Sequence, residues 1–344
     1  MEISNNKQLC HRQHYIPRFL QSGFASKKIG ENVFSYWFNK FQDPIEVNIK
    51  NIGIERGFYG HPEHLDIEIT EIEKVISKRI LHLRTKQPHK IPIQEAAELI
   101  FHFSFRSKCL RIGLDLMVKP FLSKIKSKVL DDHKWVPLSK KWLKENPDIL
   151  FNEISRYIPI NDNIKTILLQ NADIMITQDC VSPLFHGLIA ALDNAISDSD
   201  FTAHAHINTL YKLLLNIKYP NWLNDFCFYL NSYPDNNLIL GDVCSIGYNS
   251  SSHKYIPAII NTDNTSHIFL PISNCKYIYG VKNGFGNHPP EDLNLGIAQA
   301  SREFFISSHN TANEKRLINE LGNNSEFTNE AEIDSIVNSL FPTL

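Results

Sequence analysis

The chain has 344 residues, 42% of them hydrophobic and 21% charged, with 35 Lys and Arg against 37 Asp and Glu and a net charge of −2. That length buries one large core or two modest ones, and the near balance of charge excludes a protein that coats nucleic acid or anionic membrane through a broad basic face. The longest apolar run, LFHGLIAAL at 184–192, is far short of a bilayer span, so no membrane contact is expected.

The opening MEISNNKQLC lacks the apolar core of a secretory leader, and the six cysteines form no C-x-x-C pair. Both point to free thiols in a reducing compartment, and the expected location is cytoplasmic. Residues 10–24, CHRQHYIPRFLQSGF, then concentrate two histidines, two arginines and a proline. Cys10, His11 and Arg12 read as a polar lead-in. Pro17 fixes the backbone, Phe19 and Leu20 dock the segment, and His14 is the imidazole that a strapped-down arm would deliver.

NVFSYWFNK and PIEVNIKNIGI read as two short strands joined by a turn around FQDP. HPEHLDIE at 61–68 offers His61, Glu63, His64 and Asp66 either as a solvated loop or as metal ligands. LDIEITEIEKVISKRILHL spaces Ile69, Ile72, Ile76, Ile80 and Leu83 along one helical face, and Glu73 emerges at its apolar edge. IQEAAELIFHFSFRSKCLRIGLDLMVK predicts one longer, central helix, with Arg106 between Phe103 and Leu110 on the buried ridge. Arg cannot shed its charge, so it needs an anionic partner. Two readings stay open: a structural Glu73–Arg106 pair, or an Arg106 held ready to grip a phosphate or carboxylate.

HKWVPLSKKWLKENPD predicts an excursion, and SPLFHGLIAALDNAI and HINTLYKLLLNIK predict further helices. After Pro220 the pattern turns to strands: WLNDFCFYL and NLILGDVC on either side of an NSYPDNN turn, then KYIPAIIN, HIFLPIS and KYIYGVK. Asp242 follows an apolar strand, either as a presented carboxylate or as an ordinary Gly-Asp turn. PPEDLNLGIAQASREFFISSH predicts a closing helix entered through proline and acidic residues. The expected fold is therefore α+β, a mainly helical core with a small antiparallel sheet formed by N-terminal and C-terminal strands. It is expected as a single domain over 1–344 whose residues 309–344 form a helical tail. There is no G-x-S-x-G, Walker-type phosphate loop, H-E-x-x-H or G-x-G-x-x-G, which removes the commonest enzyme signatures.

QHYIPRFLQSGF resembles the QHYVPRFLL..F opening of the bacterial domain of unknown function numbered 4238. VFSYWF, the Phe58-Tyr59 pair, DIEITEIEKVI, FHFSFRS, IFLPIS and LNLGIAQASREFF with Asn294 are similar to later family segments, so the resemblance covers about 10–308. LILGDVC keeps Asp242 but has Gly241 and Cys244 where the family has Ser and Pro. The resemblance brings His14, Glu73, Arg106 and Asp242 together in a shared polar pocket, the expected catalytic set, and Arg18, Tyr59 and Arg111 are expected to bind substrate. The cofactor is unknown and the metal is left open.

Two functions follow. One is a hydrolase or nuclease-like effector, in phage defence or as a toxin, acting on nucleic acid or a nucleotide. There His14 is the acid or base, Arg106 stabilises the phosphate, and Glu73 or Asp242 orients His14 or binds metal. The other is a non-catalytic sensor or protein-binding module in which the same residues form a buried structural network.

Overall fold

The computed structural model describes residues 12–59, 63–129, 137, 141, 145–155, 159–171, 178–198, 200–216, 219–260, 262–286, 292–326 and 330–340. Cys10, His11, His61 and most of the excursion at 133–148 lie outside the described residues. The chain divides into two compact units, residues 1–115 with 202–327 and residues 116–201 with 328–344.

In the first unit the strands, among the described residues, form three antiparallel sheets of two, five and six strands. β1 (Arg12–His14) pairs β5 (Ile54–Arg56). The five-stranded sheet runs β2 (Lys27–Ile29), β3 (Asn32–Asn39), β13 (Phe304–Ser307), β8 (Leu240–Gly241), with β4 (Ile45–Asn48) also on β3. The six-stranded sheet runs β10 (Lys254–Pro257), β9 (Ile246–Asn249), β11 (Thr265–Ser273), β12 (Lys276–Lys282), β7 (Phe226–Ser232), β6 (His89–Ile91).

β11 is buried at all nine positions, as expected for a strand covered on both faces. Its alternation divides the core. Ile268, Leu270 and Ile272 join one hydrophobic cluster with Leu20, Phe24, Ile80, Ile100 and Phe103, whereas Phe269 joins a second with Phe38, Tyr279, Ile297 and Phe305. β13 divides likewise, Phe304 and Ile306 to the first cluster and Phe305 to the second, where its ring stacks on Phe38 at 4.8 Å.

These sheets overturn the expectation of a mainly helical core with one small sheet. The helical periodicity after residue 66 is conspicuous, but much of it builds the second unit, and strands of two to four residues such as β1, β8 and β13 leave little pattern. Two elements differ in detail. The long central helix is two, α3 (Ile93–Phe105) and α4 (Lys108–Val129), labelled after α1 (Arg18–Gln21) and α2 (Glu63–Thr85). The closing helix stops at Ala300, and Phe304–Ser307 is strand because it fills the slot between β3 and β8.

In the second unit the described elements are helical: the end of α4, Pro147–Ser155, Asp162–Gln170, Gln178–Ser197 and Glu330–Leu340. Lys124 bridges Asp334 at 2.6 Å and Glu330 at 3.3 Å, and Lys126 pairs with Asp193. These are exposed ion pairs of small energetic weight. Among the described residues no helix is long and apolar enough to cross a membrane.

Candidate functional site

Arg106 caps α3 at φ −83°, ψ 0°, and Ser107 Oγ accepts the Cys109 amide at 3.1 Å to begin α4. The break aims a guanidinium into the core, where Arg106 is only 1% exposed. Its Nε donates to the Tyr59 hydroxyl at 2.7 Å, Nη2 to the His14 carbonyl at 2.8 Å, and Nη1 to His102 Nε2 at 3.0 Å and to Glu73 at 2.6 Å. A guanidinium only donates, so His102 accepts at Nε2 and carries its proton on Nδ1, which is buried without a partner. Burial and the Arg106 charge hold His102 well below its usual pKa, and it stays neutral.

The arm is fastened by the same group. The Tyr59 hydroxyl donates to the His14 carbonyl at 3.0 Å, and the Tyr59 amide donates to Gln13 Oε1 at 2.6 Å. Burial pushes the Tyr59 hydroxyl up to about 12. The amides of Tyr15 and Ile16 both donate to the Gly53 carbonyl, at 2.9 and 3.3 Å. Gln21 Nε2 donates to the carbonyls of Ile16 and Ile52 at 2.7 and 3.0 Å. Arg84 on α2 secures α1, its Nη2 donating to the Phe19 and Leu20 carbonyls at 2.9 Å. The histidine-proline motif is thus a strap whose every turn is hydrogen-bonded to the body.

His14 itself uses its ring on the backbone at Ile49 and Lys50, and its Nε2 is buried with no hydrogen-bond partner. Burial and the Arg18 charge lower its pKa, with Glu73 opposing, so the imidazole is neutral at pH 7.

Of the seven residues singled out by sequence, His14, Tyr59, Glu73 and Arg106 converge. Asp242 takes no part in their hydrogen bonds: Oδ1 accepts the Arg302 amide at 2.8 Å and Oδ2 the Glu303 amide at 2.7 Å. Burial raises Asp242 to about 6 against the pull of those two amides. Arg111 is a clamp, donating to the Phe58 carbonyl and to His206 Nδ1 while lying 3.8 Å from the centre of the Phe58 ring. Arg18 is exposed on α1.

Among the described residues no group of three or more His, Cys, Asp or Glu has the arrangement of a metal site. A cavity of about 720 Å³ in this unit is lined by none of the seven. Sequence reasoning missed His102, although its i, i+4 spacing from Arg106 on a helix was a usable signal. It also missed Gln13, Gln21 and Gly53, whose partners are backbone atoms that no side-chain pattern announces.

Residues 12–91 match the model of the family described as Protein of unknown function (DUF4238), which supports the resemblance over that segment. The matched segment holds the strap, Tyr59 and Glu73, and ends before Arg106 and Asp242. No curated protein and no solved structure matches the chain.

Proposed function

We propose that the chain is a non-catalytic ligand-sensing module of the cytoplasm, in which Arg106 and its partners are the keystone of the N-terminal strap. The observation that carries this reading is the closure of Arg106: at 1% exposure, each of its three nitrogens already serves Tyr59, His14, His102 or Glu73. An anionic substrate would have to displace Glu73, and the guanidinium presents no face to solvent through which it could arrive. Asp242, with both oxygens on backbone amides, is committed to holding the chain at 302–303. The free thiols Cys109, Cys227, Cys244 and Cys275 support a reducing compartment.

A second reading, hydrolysis of a phosphate-containing substrate, is favoured by one observation: the neutral His14 ring has a buried Nε2 with no partner, as a general base would need. One experiment separates the two. Purified protein is incubated with RNA, DNA and a chromogenic phosphodiester, with and without divalent metal, beside His14→Ala, and both are melted. The sensing reading expects no turnover. Turnover that is lost in His14→Ala at unchanged melting temperature would establish the hydrolase instead.

A further inference from the structure

The cavity of about 720 Å³ is assembled from the β3–β4 hairpin, the segment before β5 and the start of β13. Its volume is in the range that holds a drug-sized or nucleotide-sized ligand. Three kinds of chemistry meet on its lining.

The first is aromatic. Trp37 and Phe304 meet at 6.0 Å with their planes inclined by 64°, so neither is stacked on the other, and Phe41 stands on the hairpin loop 92% exposed. A bare phenylalanine beside a half-buried indole offers ring faces of the kind that planar bases stack on. The second is cationic. Lys40 and Arg302 both line the cavity and form no ion pair among the described residues. Lys108, also on the lining, is already engaged by Glu303 at 3.1 Å and Glu55 at 3.7 Å.

The third is an unused donor. Asn39 is 4% exposed, and its Oδ1 accepts the Phe41 amide at 2.7 Å, which fixes the orientation of the amide group. The remaining Nδ2 is buried with no partner. An orphaned amide on a cavity lining costs stability that a ligand acceptor would recover.

The walls also draw on both fastened parts of the chain. Tyr15 and Gly53, which clasp the strap, line the cavity, and Asp242 holds the amides of Arg302 and Glu303 that form part of its rim. Closing the strap and seating Asp242 therefore shape this cavity, although neither group lies in it as a reacting atom.

We propose that this cavity binds a nucleoside phosphate, its base against Trp37 and Phe41, its phosphate on Lys40 and Arg302, and an acceptor of the ligand on the Asn39 amide. The proposal rests on the reading of the chain as a sensing module and supplies the class of ligand sensed. The near-neutral charge suits one small anion in a local basic pocket better than a polymer along a basic face.

The test is calorimetric titration of the full-length protein with adenosine 5′-monophosphate, adenosine and inorganic phosphate, with the nucleotide recovered and chromatographed afterwards. Saturable binding of the monophosphate is expected, with adenosine and phosphate each weaker by about tenfold or more, the equivalent of losing one stacked ring or one ion pair. Phe41→Ala and Arg302→Ala are expected to weaken binding about tenfold each. Asn39→Asp, which keeps the bond to the Phe41 amide but places an anion on the lining, is expected to weaken it at least as much. Phe41 is exposed, so its variant keeps the native melting temperature and reads binding alone. Absence of saturable binding, or binding that Phe41→Ala and Arg302→Ala both leave unchanged, overturns the proposal and leaves the sensing reading standing. Binding accompanied by conversion of the nucleotide upholds the site and overturns the non-catalytic reading.

Discussion

Replacing Arg106 by alanine strands the Glu73 carboxylate and His102 Nε2 and takes one bond each from the Tyr59 hydroxyl and the His14 carbonyl, which keep only their bond to each other. Breaking a buried pair by deleting one partner costs about 3–5 kcal/mol, because the remaining charge and acceptors keep their burial without compensation. Arg106→Ala is accordingly expected to lower the unfolding free energy of the first unit, measured in urea, by that amount. Arg106→Lys is expected to recover less than half of it, since a lysine reaches Glu73 with one ammonium but lacks the planar fork that serves three directions. A lysine variant as stable as the native chain would show that the network contributes charge and not geometry. Helical arithmetic on residues 65–83 and 93–119 is enough to set Glu73 and Arg106 against the apolar ridges of their helices, so their pairing is legible in the residue pattern alone. The seat of Asp242 is not, because its partners are two main-chain amides sixty residues onward that carry no residue identity.

The strap depends on one glycine at the scale of elements. Gly53 has φ +62°, and a Cβ placed there would lie 2.8 Å from Ile16 Cβ. Its carbonyl meanwhile receives the amides of Tyr15 and Ile16. Gly53→Ala therefore combines a left-handed backbone with a steric clash and is expected to cost about 1–3 kcal/mol. The loss should be local: in hydrogen-exchange mass spectrometry, peptides covering Tyr15 and Ile16 gain exchange first, while β11 peptides keep most of their protection. Uniform loss across both would mean that the strap is not a separable element.

The same scale explains two boundaries that the residue pattern does not mark. IQEAAELIFHFSFRSKCLRIGLDLMVK contains no proline and no glycine at the break, so nothing local ends α3. The break is made by tertiary partners drawing Arg106 inward, with Ser107 Oγ restarting the helix. FFIS at 304–307 is three apolar residues and a serine, compatible with either helix or strand, and it is settled by the open edges of β3 and β8.

Across the whole first unit, buried ionisable groups decide how stability varies with pH, and they act in opposite directions. His206 donates from Nε2 to the Phe105 carbonyl at 2.8 Å and accepts from Arg111 at Nδ1. Protonation would turn a donor against a guanidinium, and burial lowers its pKa from 6.5 to about 4. A depressed histidine favours the folded state fully above pH 6.5, and that contribution drains away as pH falls toward 4. His14, His102 and His267 are lowered as well and act with the same sign. Asp242 opposes them. Its carboxyl rises from 3.8 to about 6, so its contribution is greatest below 3.8 and is lost as pH climbs through 6.

Four histidines against one carboxyl leave the histidines in control, and the first unit is expected to lose stability steadily below pH 6.5. His206→Gln keeps a donor for Phe105 and an acceptor for Arg111 without a titrating ring. It is expected to remove about 3 kcal/mol of the acid loss, the free-energy equivalent of moving a pKa from 6.5 down to about 4. Asp242→Asn removes the opposing group and is expected to steepen the same limb. It also lowers the urea midpoint at all pH values, because one backbone amide then faces an NH₂. Urea titrations from pH 7.5 to 4.5, read from exchange protection of β11 and β12 peptides, report this unit alone. If His206→Gln leaves the acid limb unchanged while Asp242→Asn flattens it, the carboxyl governs acid stability and the buried imidazoles are charged in the folded state.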